Sequence, residues 1–121
     1  MKKILLSLLI GAFGLSGVVH AKYSTYSECD YSLATFDMFD CIDEEYSRQD
    51  AKLNKAYKRA MAELNKDKVK QKELKELQRI WINYRDAKCN YNYGLTGGGT
   101  FDREVVKRCF VIETVQRAKE L

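Results

Sequence analysis

Four cysteines, Cys29, Cys41, Cys89 and Cys109, are the residues of this chain best equipped for chemistry. A thiol can ligate a metal, carry a redox reaction or close a disulfide, and spacing separates these uses. The four are widely dispersed. No Cys-x-x-Cys pair occurs, so neither a thioredoxin-like couple nor a haem-attachment motif is present. Structural zinc sites usually bring two ligands close in sequence and often include histidine; the one histidine, His20, lies in an apolar leader. An even number of dispersed cysteines in an oxidising compartment reads as two disulfides. Four cysteines allow three pairings, and their spacing does not choose among them.

Two further constellations invite a chemical reading. Gly97-Gly98-Gly99, inside the segment Gly94 to Thr100, has the composition of a phosphate loop. A phosphate loop needs a Lys-Ser/Thr pair after its last glycine and a strand before it. Here Thr100-Phe101-Asp102 follows and a helical pattern precedes, so the segment reads as a flexible connection. Asp37, Asp40, Asp43, Glu44 and Glu45 form a dense acidic cluster. Acids at the start of a helix complement its dipole by roughly 0.3–1 kcal/mol each, but five exceed what capping needs and offer a face to a cationic partner. Tyr91 and Tyr93, beside the glycine segment, are expected to be partly exposed, and tyrosine suits protein interfaces. With no histidine beyond residue 20, no metal-ligand cluster and no marked carboxylate pair, the inventory points away from an enzyme and requires no cofactor.

The elements that must position these residues begin with an export signal. Lys2 and Lys3 precede an apolar run from Ile4 to about Val19, which closes on Val19-His20-Ala21 before the polar Lys22. These are the three parts of a signal peptide, so residues 1–21 are read as removed and residues 22–121 as one helical domain, periplasmic or secreted. Removal of 1–21 lowers the formal charge from +4 to +2, too balanced for a nucleic-acid binder, which carries a basic face. No later apolar run is long enough to span a bilayer, so no membrane contact is expected after cleavage.

The chain has no proline, and between Asp37 and Tyr91 it is rich in Lys, Glu, Leu, Ala, Arg and Gln, the composition of helix. A first helix starting near Thr35 or Asp37 carries Ile42, Tyr46, Leu53, Tyr57, Ala60 and Leu64 on one face, with Ala56 and Met61 at its borders. Asn65-Lys66-Asp67 can cap and turn. A second helix places Leu74, Leu77, Ile80, Trp81, Tyr84, Ala87 and Tyr91 on one broad face, with Trp81 in its middle expected to be core. A single helix through both segments could not bury its stripe in a monomer, so a hairpin is preferred. A third helix from Phe101 or Asp102 to the C-terminus buries Val105, Val106, Cys109, Phe110, Ile112 and Val115. The reading is all-α: a three-helix antiparallel bundle, a long hairpin plus a C-terminal helix, stapled by two disulfides. Antiparallel packing brings all four cysteines to one end. Arg79, Arg85 and Asp86 are expected in ion pairs there, with Glu113 and Arg117 as partners from the third helix.

The residues assembled this way resemble a known family. Leu77-Gln78-Arg79-Ile80-Trp81-Ile82-Asn83-Tyr84-Arg85-Asp86, ending at Cys89, is similar to the signature of the LprI-like lysozyme inhibitors. So are Cys29 and Cys41 ahead of Leu53-Asn54-Lys55-Ala56-Tyr57, and the glycine segment followed by Cys109, Thr114, Arg117 and Leu121. The resemblance spans Cys29 to Leu121 and implies an exported, helical, disulfide-containing domain with a protein partner, a lysozyme for the inhibitory members. This chain has no cysteine immediately after its apolar run, unlike a lipoprotein member of that family. Binding to another envelope protein as a structural or assembly factor, without inhibition, is the alternative that the residues leave open, and oligomeric state is not legible.

Overall fold

A computed structural model describes Cys29 and residues 35–121 of the chain. The proposed signal segment, its cleavage site and residues 30–34 lie outside the described residues. Three helices follow one another: α1, Thr35–Glu63; α2, Lys68–Asn90; and α3, Thr100–Glu120. The described residues contain no strand. None of their helices is long and apolar enough to cross a membrane.

The hairpin forms where Asn65-Lys66-Asp67 interrupts the apolar pattern. Asp67 caps α2, its carboxylate accepting from the Lys70 N–H at 2.9 Å, one of the N–H groups a helix start leaves without an internal partner. Gln71 Nε2 donates to the Met61 carbonyl at 3.0 Å, clamping the two helix ends across the turn. α1 and α3 run in the same direction and make the main interface. Asp43 meets Lys107, and Tyr46 meets Phe110 edge to face with ring centroids 5.8 Å apart. The C-terminal half of α2 packs on α3.

Two disulfides staple this arrangement: Cys29–Cys41 ties the segment before α1 onto that helix, and Cys89–Cys109 ties α2 to α3. All four cysteines stand at one end of the bundle, as the antiparallel reading requires. The apolar cluster there is small. Cys29, Met38, Ile42 and Val111 are buried, with Phe39, Cys41, Tyr46 and Val115 packed against them. Leu53 and Ala56 extend the buried face of α1.

The burial of α2 departs from the expected pattern. Its buried residues are Gln78, Arg85 and Cys89, with Leu74 and Trp81 half-buried. Leu77, Ile80, Tyr84 and Ala87, placed on the apolar face, are exposed, and Tyr91 at its end is exposed as its place beside the glycine segment predicts. Trp81 is not a core residue but a half-buried one, lying under the guanidinium of Arg85 at 5.1 Å and of Arg117 at 5.8 Å. The face turned to α3 is therefore set by hydrogen-bonding and cationic side chains. α3 answers in kind. Its buried set is Asp102, Glu104, Val111, Glu113, Thr114 and Arg117, while the apolar residues predicted to be buried are half-buried.

Candidate functional site

The connection between α2 and α3 is built around one carboxylate. α2 ends as Tyr91 N–H and Asn92 N–H donate to the Ala87 and Cys89 carbonyls at 3.0 and 3.2 Å. The Asn92 side chain donates to the same Cys89 carbonyl at 3.1 Å. The backbone then passes through positive φ at Gly94 (92°), Gly97 (105°) and Gly98 (76°), conformations that only glycine adopts cheaply. These turns aim successive N–H groups inward at Asp102 in the first turn of α3. Its carboxylate accepts from the N–H of Gly94 at 3.0 Å, Thr96 at 3.3 Å and Gly98 at 2.7 Å, and from the Thr96 hydroxyl. The Tyr93 hydroxyl donates to the Gly98 carbonyl at 3.0 Å, closing the loop from the other side.

Asp102 is only 2% exposed. Its hydrogen bond from Thr96, joined by those from the three backbone N–H groups, holds the carboxyl below the usual carboxylate range against the opposing effect of burial. The segment read from its composition as flexible is thus anchored, because Asp102 gathers its amides. The same fact disposes of a phosphate cradle, since the amides a phosphate would need at Gly94, Thr96 and Gly98 are already donating. The signal for Asp102 is present in the sequence: a carboxylate four residues after Gly98, in the first turn of the following helix.

Beside this loop, α1 and α3 leave a cleft of about 390 Å³. Tyr46 and Phe110 line it together with Val106, Asn90 and Tyr93, and Asp43, Arg103 and Lys107 contribute charge. Asp43 and Lys107 pair at 2.5 Å. Of the predicted site residues, the fold brings Asp43 and Tyr93 together here, with Gly98 held on Tyr93. Arg103, Lys107 and the Tyr46–Phe110 pair are cleft residues that the sequence reading does not single out. Asp37, Asp40 and Glu44 are exposed on α1 outside the cleft lining. Glu45 departs from the expected acidic face. It is 7% exposed and binds Arg48 (Nε at 2.8 Å, Nη2 at 2.6 Å) and Gln49 at 2.7 Å. The step of about 100° from Glu44 to Glu45 turns it away from the exposed acidic face. Tyr91 and Tyr93 are both exposed, as expected, but Tyr91 does not line the cleft.

Behind the cleft, Arg85 is sandwiched by aromatic rings, its guanidinium 5.1 Å from Trp81 and Phe110 and 5.8 Å from Tyr46. Burial pushes the Tyr46 hydroxyl pKa up, with nearby Arg85 acting in the opposite direction. The ion pairs differ from those expected. Arg85 pairs with its neighbour Asp86 at 2.9 Å and Arg79 with Glu76 at 3.2 Å. Arg117 donates to Gln78 at 2.9 Å, and Glu113 accepts from Lys88 at 2.6 Å. Both α3 residues do reach α2, onto partners other than those predicted. The described residues hold no group of carboxylate, cysteine and histidine side chains suited to a metal ion.

A disulfide-stapled helical domain presenting an anchored loop, an aromatic cleft and an acidic helix start has the parts of a protein-binding module. The family model described as "Lysozyme inhibitor LprI" matches residues 28–121, and the chain belongs to that family. A protein of Rhizobium meliloti (strain 1021), described as "Uncharacterized protein R02472", is 30% identical over 108 residues, covering 78% of this chain and 76% of its own length. No solved structure matches.

Proposed function

We propose that the protein is exported, cleaved after Ala21, and inhibits a lysozyme by binding it through the loop end of the bundle. The observation that carries this reading is the anchored loop beside the acidic start of α1, within a chain that belongs to a lysozyme inhibitor family. Animal-type lysozymes are cationic, and an inhibitor must cover or enter their catalytic cleft. Complementary charge speeds that encounter. A net charge of +2 after cleavage opposes it, so attraction has to come from the local patch of Asp37, Asp40 and Glu44. A loop held by Asp102 before binding loses little freedom on binding, which favours affinity. The two disulfides suit the oxidising compartment that export implies.

The test is a cell-wall turbidity assay with lysozyme and the purified, disulfide-bonded protein. Inhibition at tens of micromolar or below, on the order of a weak interface, is the expected result at low salt. Full lysozyme activity there would overturn the reading and leave binding to another envelope protein, without inhibition, in its place.

A further inference from the structure

The exposed side of α2 carries a stripe that neither the fold nor the proposed function uses. Leu77, Ile80, Tyr84, Ala87 and Tyr91 follow one another at steps of three and four, and all are exposed. Leu77 is 52%, Ile80 56%, Tyr84 57% and Tyr91 74% exposed. This is the seam spacing of a coiled coil, the pattern by which one helix recognises another. At 100° per residue the stripe is centred about 120° round α2 from the face that packs on α3, so a second helix can lie along it without displacing α3. The four large side chains expose on the order of 500 Å² per molecule, the size of the largest apolar patch on a monomer, which is often functional. Paired with a copy of itself this becomes roughly 1,000 Å², the lower bound of a specific interface before flanking groups are counted.

We infer that this stripe is the interface of a homodimer in which α2 pairs antiparallel with α2 of a second copy, centred on Tyr84. The uncharged, self-complementary stripe favours a second copy as its occupant, and charge sets the direction. Continued toward the N-terminus, the same spacing carries Lys70 and Glu73. Parallel pairing would set Lys70 against Lys70 and Glu73 against Glu73. Antiparallel pairing sends them to opposite ends, beyond the point where the second copy's α2 stops at Asn90. In that register Leu77 faces the second copy's Tyr91, Tyr84 meets its twin, and Glu76 lies beside the second copy's Asn90. No like charges meet along the seam, and the patch is self-complementary, as a twofold interface must be.

Sedimentation velocity of the disulfide-bonded protein at about 100 µM, within the range of a weak dimer, tests this. The wild type should sediment as a dimer, and Ile80→Glu should halve the mass with an unchanged far-UV spectrum. A monomeric wild type, or a dimer that Ile80→Glu leaves intact, overturns the inference. The direction is read separately by oxidation. Tyr84→Cys should form a covalent dimer by itself, while Leu77→Cys should do so only when mixed with Tyr91→Cys. A self-crosslinked Leu77→Cys protein overturns the antiparallel arrangement even if Ile80→Glu fails to fold.

Discussion

Asp102 shows how much of a site can rest on one carboxylate. Its four hydrogen-bond donors all come from the segment Gly94–Gly98 and include three backbone amides. Asp102→Asn removes the charge and replaces one acceptor oxygen with a donor that would face those N–H groups. The variant should melt at a lower temperature and show faster amide exchange at Gly94, Thr96 and Gly98, with helix content retained. The pH dependence follows from the lowered pKa of Asp102. A depressed carboxyl contributes stability that is fully present above the ordinary carboxylate value near 4 and is lost as pH falls through its folded value. The gap in melting temperature between wild type and Asp102→Asn should therefore be constant at neutral pH and close as pH drops below about 4. A gap that persists unchanged into strong acid would mean that the carboxylate charge does not hold the loop. Gly97→Ala tests the backbone alone. At φ 105° and with open space around it, any added Cβ is strained without a clash, at a cost of about 1 kcal/mol or somewhat more.

At the scale of elements, the α2–α3 contact is narrow and polar, so its covalent tie matters. Replacing Cys89 and Cys109 by serine should cost about 2–4 kcal/mol, as loss of a bridge typically does, read by urea denaturation. Losing Cys29–Cys41 should cost less on loop length alone, since it closes 12 residues against 20. Trp81→Ala should cost about 2 kcal/mol, less than the 3–5 of a fully buried aromatic, because the ring is half-buried and part of what is lost is its contact with two guanidinium groups. A larger loss would place Trp81 in the core after all. A negligible loss would remove it from the structural account.

For the whole molecule the prediction concerns association. Asp37→Asn, Asp40→Asn and Glu44→Gln together should slow association with lysozyme and flatten its salt dependence, leaving the melting temperature nearly unchanged, since all three are exposed. Rim charges act mainly on the rate of encounter. Asp43 belongs outside this set, because its pairing with Lys107 joins α1 to α3. If stopped-flow binding shows the triple variant associating at the wild-type rate at low salt, the acidic patch is not the steering surface. The cleavage proposal is checked by intact mass of the exported protein, which should begin at Lys22.

Much of the architecture is local and so was legible before any coordinates. Helix composition, the polar triplet at Asn65–Asp67, the glycine segment and the absence of proline act over a few residues, and they place α1, α2 and α3 within a residue or two. Four dispersed cysteines imply disulfides whatever the fold. The choice among three pairings belongs to the tertiary structure, since all four thiols meet at one end and only side-chain positions separate them. Burial was the other decision. Hydrophobic periodicity assigns Leu77, Ile80 and Tyr84 to a core, but it presumes that polar side chains stay outside. Gln78, Glu113 and Arg117 turn inward because a neighbouring helix supplies their hydrogen bonds, while Glu45, Gln49 and Arg85 find partners within their own helices, and buried polar groups tolerate burial only when so matched. The two cross-helix pairs lie 25 and 39 residues apart in the chain, so no local window contains both partners. The apolar stripe of α2 was displaced to the surface by that matching, and the anchored loop, whose amides converge on Asp102, became visible only once the turn had closed.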